Sequence, residues 1–125
     1  MQPDQFTDRL DAVRKRFASS LAGKISDTYA ELPNLSDGSP NAFDMLSNAY
    51  RRIHGICGVG RAVGFADTGR AAKDVEDVLI AAYRSQRGLS AGELARLKTT
   101  LGALAAAAQA ELNAATSPAP SRSEG

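Results

Sequence analysis

Apolar residues along this chain recur every three or four positions, in four runs separated by short stretches rich in glycine, proline or small polar side chains. Phe6, Leu10, Val13, Phe17, Leu21 and Ile25 make the first stripe, the spacing of one helix face. They predict a helix over about 4–29, with Gly23 as a point of bending. Residues 31–41, ELPNLSDGSPN, hold two prolines and a glycine and read as a loop. A second helix is expected from Ser39, a good N-cap followed by Pro40 where proline is tolerated. It turns Phe43, Leu46, Ala49, Ile53 and Ile56 inward and fades around Val63 and Gly64. A third is expected over about 67–87 on Ala71, Val75, Val78, Leu79 and Ala82, with Gly88 as its stop. Ser90-Ala91-Gly92-Glu93 is a capping-box pattern. Beyond it Leu94, Leu97, Leu101, Leu104, Ala108 and Leu112 carry a fourth stripe to about Ala115.

Strand-like alternation is not evident, so the expected fold class is all-α. Four amphipathic helices with mostly short connections close most simply into an antiparallel four-helix bundle, a single domain over residues 1–115. The polar, proline-rich end, 116–125, has nothing to contribute to a core and reads as a disordered tail.

Composition narrows the function. At 125 residues the chain has the length of one domain and can build one core. Its single cysteine excludes an intramolecular disulfide. It carries no apolar run long enough to span a bilayer and no apolar segment of signal-peptide type near its start. The expectation is a cytoplasmic protein with no membrane association. A net charge of +1 argues against nucleic acid as the main partner. One cysteine and one histidine fall short of the three or four ligands of a zinc site, and no phosphate-binding glycine loop of the GxGxxG or GxxxxGK[ST] type is present. Neither a metal nor a cofactor is expected. Four helices can close a bundle within one chain, which favours a monomer.

Candidate chemistry concentrates in RRIHGICGVGRAVGF, residues 51–65. This stretch holds the only histidine, the only cysteine and four of the eleven glycines, although each glycine inside a helix costs roughly 1 kcal/mol relative to alanine. With about 100° per residue, Leu46, Ala49, Ile53, Ile56 and Gly60 define the inward side, and His54 lies about 120° from its middle. His54 is therefore expected at the surface. Gly55 and Gly58 leave the helix beside it bare, and Arg51 and Arg61 fall within a turn or two on the same side. Such bareness lets a partner's backbone approach the imidazole. Gly60 and Gly64 read instead as close packing and helix termination. From Tyr50 to Lys73 the basic residues Arg51, Arg52, Arg61, Arg70 and Lys73 face one acid, Asp67, which suits an acidic partner or a phosphoryl group.

HGICGVGRAVG resembles the motif of the histidine-containing phosphotransfer (HPt) domain family: histidine, a hydrophobic residue two on (Ile56), glycine four on (Gly58), small residues next (Val59, Gly60) and a second glycine ten on (Gly64). The likeness spans about eleven residues, and the family's helical-bundle fold agrees with the helix reading. Cys57 departs from the pattern, standing where the family usually has a lysine that helps hold the phosphoryl group. The resemblance implies that His54 accepts a phosphoryl group from a receiver-domain aspartate or a hybrid sensor histidine kinase and passes it to a response-regulator aspartate. The protein would be a stoichiometric carrier needing no nucleotide or metal of its own. Arg51, Arg52 and Arg61 would serve docking or phosphate stabilisation, Gly55 and Gly58 access, and Tyr50 or Cys57 a hydrophobic rim. Two other readings stay open on the residues alone: a helical adaptor that binds a signalling partner without carrying phosphate, and a hydrolase using Cys57 and His54.

Overall fold

The structure, a computed structural model, describes residues 3–116 and the side chains of residues 6–115. Four helices follow in order: α1 (Pro3–Glu31), α2 (Ala42–Ala62), α3 (Ala66–Arg84) and α4 (Ala91–Thr116), with a single 3-10 turn, Leu32–Asn34, after α1. No strand occurs among the described residues. None of these helices is long and apolar enough to cross a membrane. The tail expected from residue 116 onward lies outside the described residues except for Thr116, which closes α4.

Each helix packs against its two neighbours around one core, and the cross-contacts set their directions. Arg52 of α2 meets Thr28 and Glu31 late in α1, whereas Val63, just past α2, meets Arg14 early in α1. Tyr83, late in α3, stacks on Tyr50, and the early residue Gly69 lies against Cys57 and Arg61. Thr68, early in α3, bonds Glu111, late in α4. Neighbouring helices therefore run antiparallel, forming the four-helix bundle. Leu21, Leu46, Ile53, Ile56, Val75, Leu79, Leu97, Leu101 and Leu104 are fully buried at its centre. Each contributes about 1.5–3 kcal/mol of burial free energy. The three- and four-residue stripes thus have a common target.

Several ends differ from the expected ones. Ser39 does not cap α2; its hydroxyl donates to the Pro33 carbonyl, and Asn41, in the left-handed region at φ 61°, occupies the N-cap. Gly23 lies within the unbroken α1. Helix α3 stops at Arg84, not Arg87, because Gln86 adopts φ 55° and the Arg87 amide turns back to the Ala82 carbonyl. Gly88 is required for another reason. A Cβ there would sit 2.7 Å from the Asp37 Cα, where the loop before α4 pairs with the loop before α2 through Asp37 N–H to Leu89 O (2.8 Å) and Leu89 N–H to Leu35 O (2.7 Å). Gly64 ends α2 as expected, at φ 90°, with the Phe65 amide closing onto the Gly60 carbonyl. The capping box at Ser90 and Glu93 forms in both directions.

The start of α3 is capped from across the bundle. Phe65 at its N-cap offers no side-chain acceptor, and the Glu111 carboxylate of α4 accepts the Asp67 and Thr68 amides and the Thr68 hydroxyl. A carboxylate against exposed N–H groups at a helix N-terminus satisfies donors and complements the dipole.

Candidate functional site

The α2/α3 seam carries the chemistry, and small residues set how closely its helices approach. A Cβ on Gly69 would lie 2.8 Å from the Arg61 Cγ and 3.3 Å from the Cys57 carbonyl oxygen, and one on Gly60 would lie 3.3 Å from the Phe17 ring and 3.6 Å from the Gly69 amide nitrogen. Glycines at 60 and 69 let the two backbones meet at this end. Gly60 accordingly serves packing, as its place on the inward face predicts.

Along the outer edge of the seam, Phe43, Tyr83, Tyr50 and His54 form a row of rings. Tyr50 and Tyr83 stack at 4.2 Å, and Tyr50 and His54 stack at 6.0 Å with 16° between their planes. Phe43 joins Tyr83 at 6.2 Å. His54 ends the row with its side chain 67 % exposed. Its Nδ1 lies 3.3 Å from Oε2 of Glu76 on α3, whose side chain is only 11 % exposed. The same carboxylate oxygen accepts the Tyr50 hydroxyl at 3.3 Å. Burial, and then the Glu76 charge, hold the Tyr50 phenol above its ordinary pKa, so it remains a donor to that carboxylate.

This contact orients the imidazole. A lone pair on Nδ1 would face the carboxylate oxygen with like polarity, whereas an N–H would face it favourably. In the neutral ring the proton is therefore favoured on Nδ1, leaving the Nε2 lone pair as nucleophile. Gly55 and Gly58 have open space where a Cβ would be. Grooves of 410 and 350 Å³ lie elsewhere, lined by Arg14, Val63 and Glu111 and by Val78, Arg96 and Thr99. His54 stands on open surface, outside these grooves.

The residues singled out in the sequence divide. His54, Gly55, Gly58, Arg51 and Arg61 all reach the exposed side of α2. Arg51 and Arg61 enter no ion pair among the described residues. Cys57 does not share that face; it is 8 % exposed and belongs to the hydrophobic core, so its thiol is neither a phosphate contact nor an exposed nucleophile. Arg52 also departs from expectation. Its guanidinium binds Glu31 with both ends, at 2.9 and 3.0 Å, and the Thr28 hydroxyl at 3.0 Å, on the α1 side of the helix. Bonding to Glu31 raises its pKa further. This arginine ties α2 to α1.

Periodicity alone does not single out Glu76. Its signal is nonetheless present: a carboxylate on the inward side of α3, beside the buried Val75, Val78 and Leu79. Lys73, three residues earlier, is exposed and paired with Asp77 at 3.0 Å. Bonding to Asp77, and then the charges of Asp77 and Glu76, hold its ammonium above the ordinary value. Arg70 pairs with Asp67 at the far end of the same helix edge. Among the described residues no cluster of histidine, cysteine and carboxylates could hold a metal ion.

No family model, curated protein or solved structure matches this chain.

Proposed function

We propose that this protein is a histidine phosphotransfer protein of the HPt kind, a cytoplasmic, monomeric carrier that takes a phosphoryl group onto His54 and gives it up to a second partner. The reading rests above all on one observation: a 67 % exposed imidazole, beside glycines, with Nδ1 against a buried carboxylate. Donor and acceptor are receiver-domain aspartates, of a hybrid sensor kinase and a response regulator.

In the forward step the Nε2 lone pair attacks the phosphorus of an aspartyl phosphate. The bond from phosphorus to the carboxyl oxygen breaks, and its electron pair leaves with the aspartate. The phosphorylated ring keeps its Nδ1 proton and becomes cationic, and Glu76 stabilises that charge from 3.3 Å. Return transfer reverses each event. Because phosphoryl transfer passes through a loose, in-line transition state, positioning and charge neutralisation dominate its catalysis. The partner's carboxylate pocket supplies most of that machinery. This chain supplies an oriented nucleophile, low ground at Gly55 and Gly58, and free cations at Arg51 and Arg61 for an acidic surface.

The test is incubation with a panel of receiver domains phosphorylated on aspartate. The expected result is an acid-labile, alkali-stable phosphate on the protein that His54→Gln abolishes. A phosphate-free protein that nevertheless binds a receiver would identify an adaptor instead.

A further inference from the structure

Phosphorylation of His54 creates a charge conflict: up to two negative charges arrive beside the buried carboxylate of Glu76. A nearby cation is needed to balance them, and the seam offers few. Arg52 is locked to Glu31 and Thr28, and Cys57 faces the core. The α3 side of the seam gives a better candidate. Gly69 faces Cys57 and Arg61, and Glu76 faces His54. Lys73 lies one turn from each on α3, about 4.5 Å along the axis from Glu76. It projects from the solvent edge of the helix between those two contact points.

From this register we propose that Lys73 is the phosphoryl-binding cation of the site, leaving Asp77 to hold the group carried on Nε2 of His54. The role rests on the phosphotransfer reading above and adds a residue to it. The present partner makes the exchange easy. Lys73 and Asp77 form an exposed pair on one helix face, with side chains 49 % and 58 % exposed, and such pairs are weak and screened by water. A phosphoryl dianion offers twice the charge and three acceptor oxygens. Lys73 already lies in the field of Glu76, so one ammonium partly offsets both anions. The arrangement moves the cation off the histidine's own helix and leaves position 57 free for a core residue.

The titratable and charged groups around His54 are Glu76, Lys73 and Asp77 on α3 and Tyr50, Arg51 and Arg61 on α2. The experiment loads His54 chemically with phosphoramidate: Nε2 attacks phosphorus and ammonia leaves with the P–N electron pair. The titration of the phosphohistidine is then followed by phosphorus NMR against pH. An ammonium in contact favours the less protonated form, so Lys73→Ala is expected to raise the midpoint by about half a pH unit. Lys73→Arg should restore it, and Arg61→Ala should move it less. An unchanged midpoint in Lys73→Ala, or a larger rise in Arg61→Ala, overturns the assignment. Chemical loading needs no receiver domain, so this result stands apart from receiver transfer. A wild type that no phosphorylated receiver can load defeats the phosphotransfer reading itself, and the role of Lys73 falls with it.

Discussion

Glycines 55 and 58 should reduce stability in exchange for access, and the two effects can be separated. A Cβ at either position meets nothing within 4 Å. Alanine there creates no clash and gains helix propensity, about 0.5–1 kcal/mol per site. The double variant Gly55→Ala/Gly58→Ala should therefore be more stable by about 1–2 kcal/mol. For a domain of this size that is a rise in Tm of about 4–10 °C. Gly23 supplies the control: it is also helical, also open, and lies on α1. Gly23→Ala should bring a single-site gain in stability and leave transfer untouched. Bulk beside the imidazole acts differently. Gly55→Leu and Gly58→Leu raise the floor on which a partner's carboxylate must land, and should cut the rate of transfer from a phosphorylated receiver at least tenfold, with the fold intact by circular dichroism. Thermal unfolding and transfer rates on the same four proteins decide the matter. Destabilised alanine variants would show that the surface is not open in the folded protein. Leucine variants that transfer at the wild-type rate would refute the access argument.

Other consequences follow from contacts away from His54. Arg52→Ala should destabilise by about 1–3 kcal/mol, since it strands Glu31 and removes one bond to the Thr28 hydroxyl, yet leave transfer rates unchanged in denaturant-checked folded protein. Glu111→Ala removes the cap of α3 and should cost about 1–2 kcal/mol in urea unfolding. Gly88→Ala must push the Asp37 backbone aside and should cost about 1–3 kcal/mol or more. The Arg87 guanidinium and the Ser90 amide hold the Glu93 carboxyl at about 2, below its ordinary 4.5. Its contribution is therefore complete above pH 4.5 and lost as the pH falls toward 2. Glu93→Gln should flatten that acid limb of the stability curve.

The helices were legible because their signal is local: one stripe of apolar side chains implies one buried face, whatever covers it. The glycines between His54 and Gly64 could be assigned to tasks for the same reason, since their angle on α2 distinguishes Gly58, outside, from Gly60, inside. What periodicity does not contain is the partner across a seam. Arg51 and Arg52 look alike in sequence, but Arg52 finds Glu31, 21 residues earlier, and Arg51 finds none among the described residues. Glu76 lies 22 positions after His54 and meets it only because α2 and α3 pack antiparallel at close range. Cys57 is set apart from His54 by its inward angle together with the closeness of α3, which buries it. Helix ends failed where a single residue took an unexpected backbone: Asn41 and Gln86, both left-handed without being glycine. Gly88 is expected from sequence to stop α3, but its task is to leave room for a loop 51 residues away in sequence.

One histidine in the chain means one imidazole in the spectrum, so long-range proton–nitrogen NMR on ring-labelled protein reads the decisive geometry without ambiguity. Before phosphorylation, in the neutral ring, Nδ1 should carry the proton and Nε2 the lone pair. After mixing with a phosphorylated receiver domain, Nε2 should become the phosphorylated nitrogen. A ring protonated on Nε2, or one whose signals no phosphorylated receiver changes, would contradict the account.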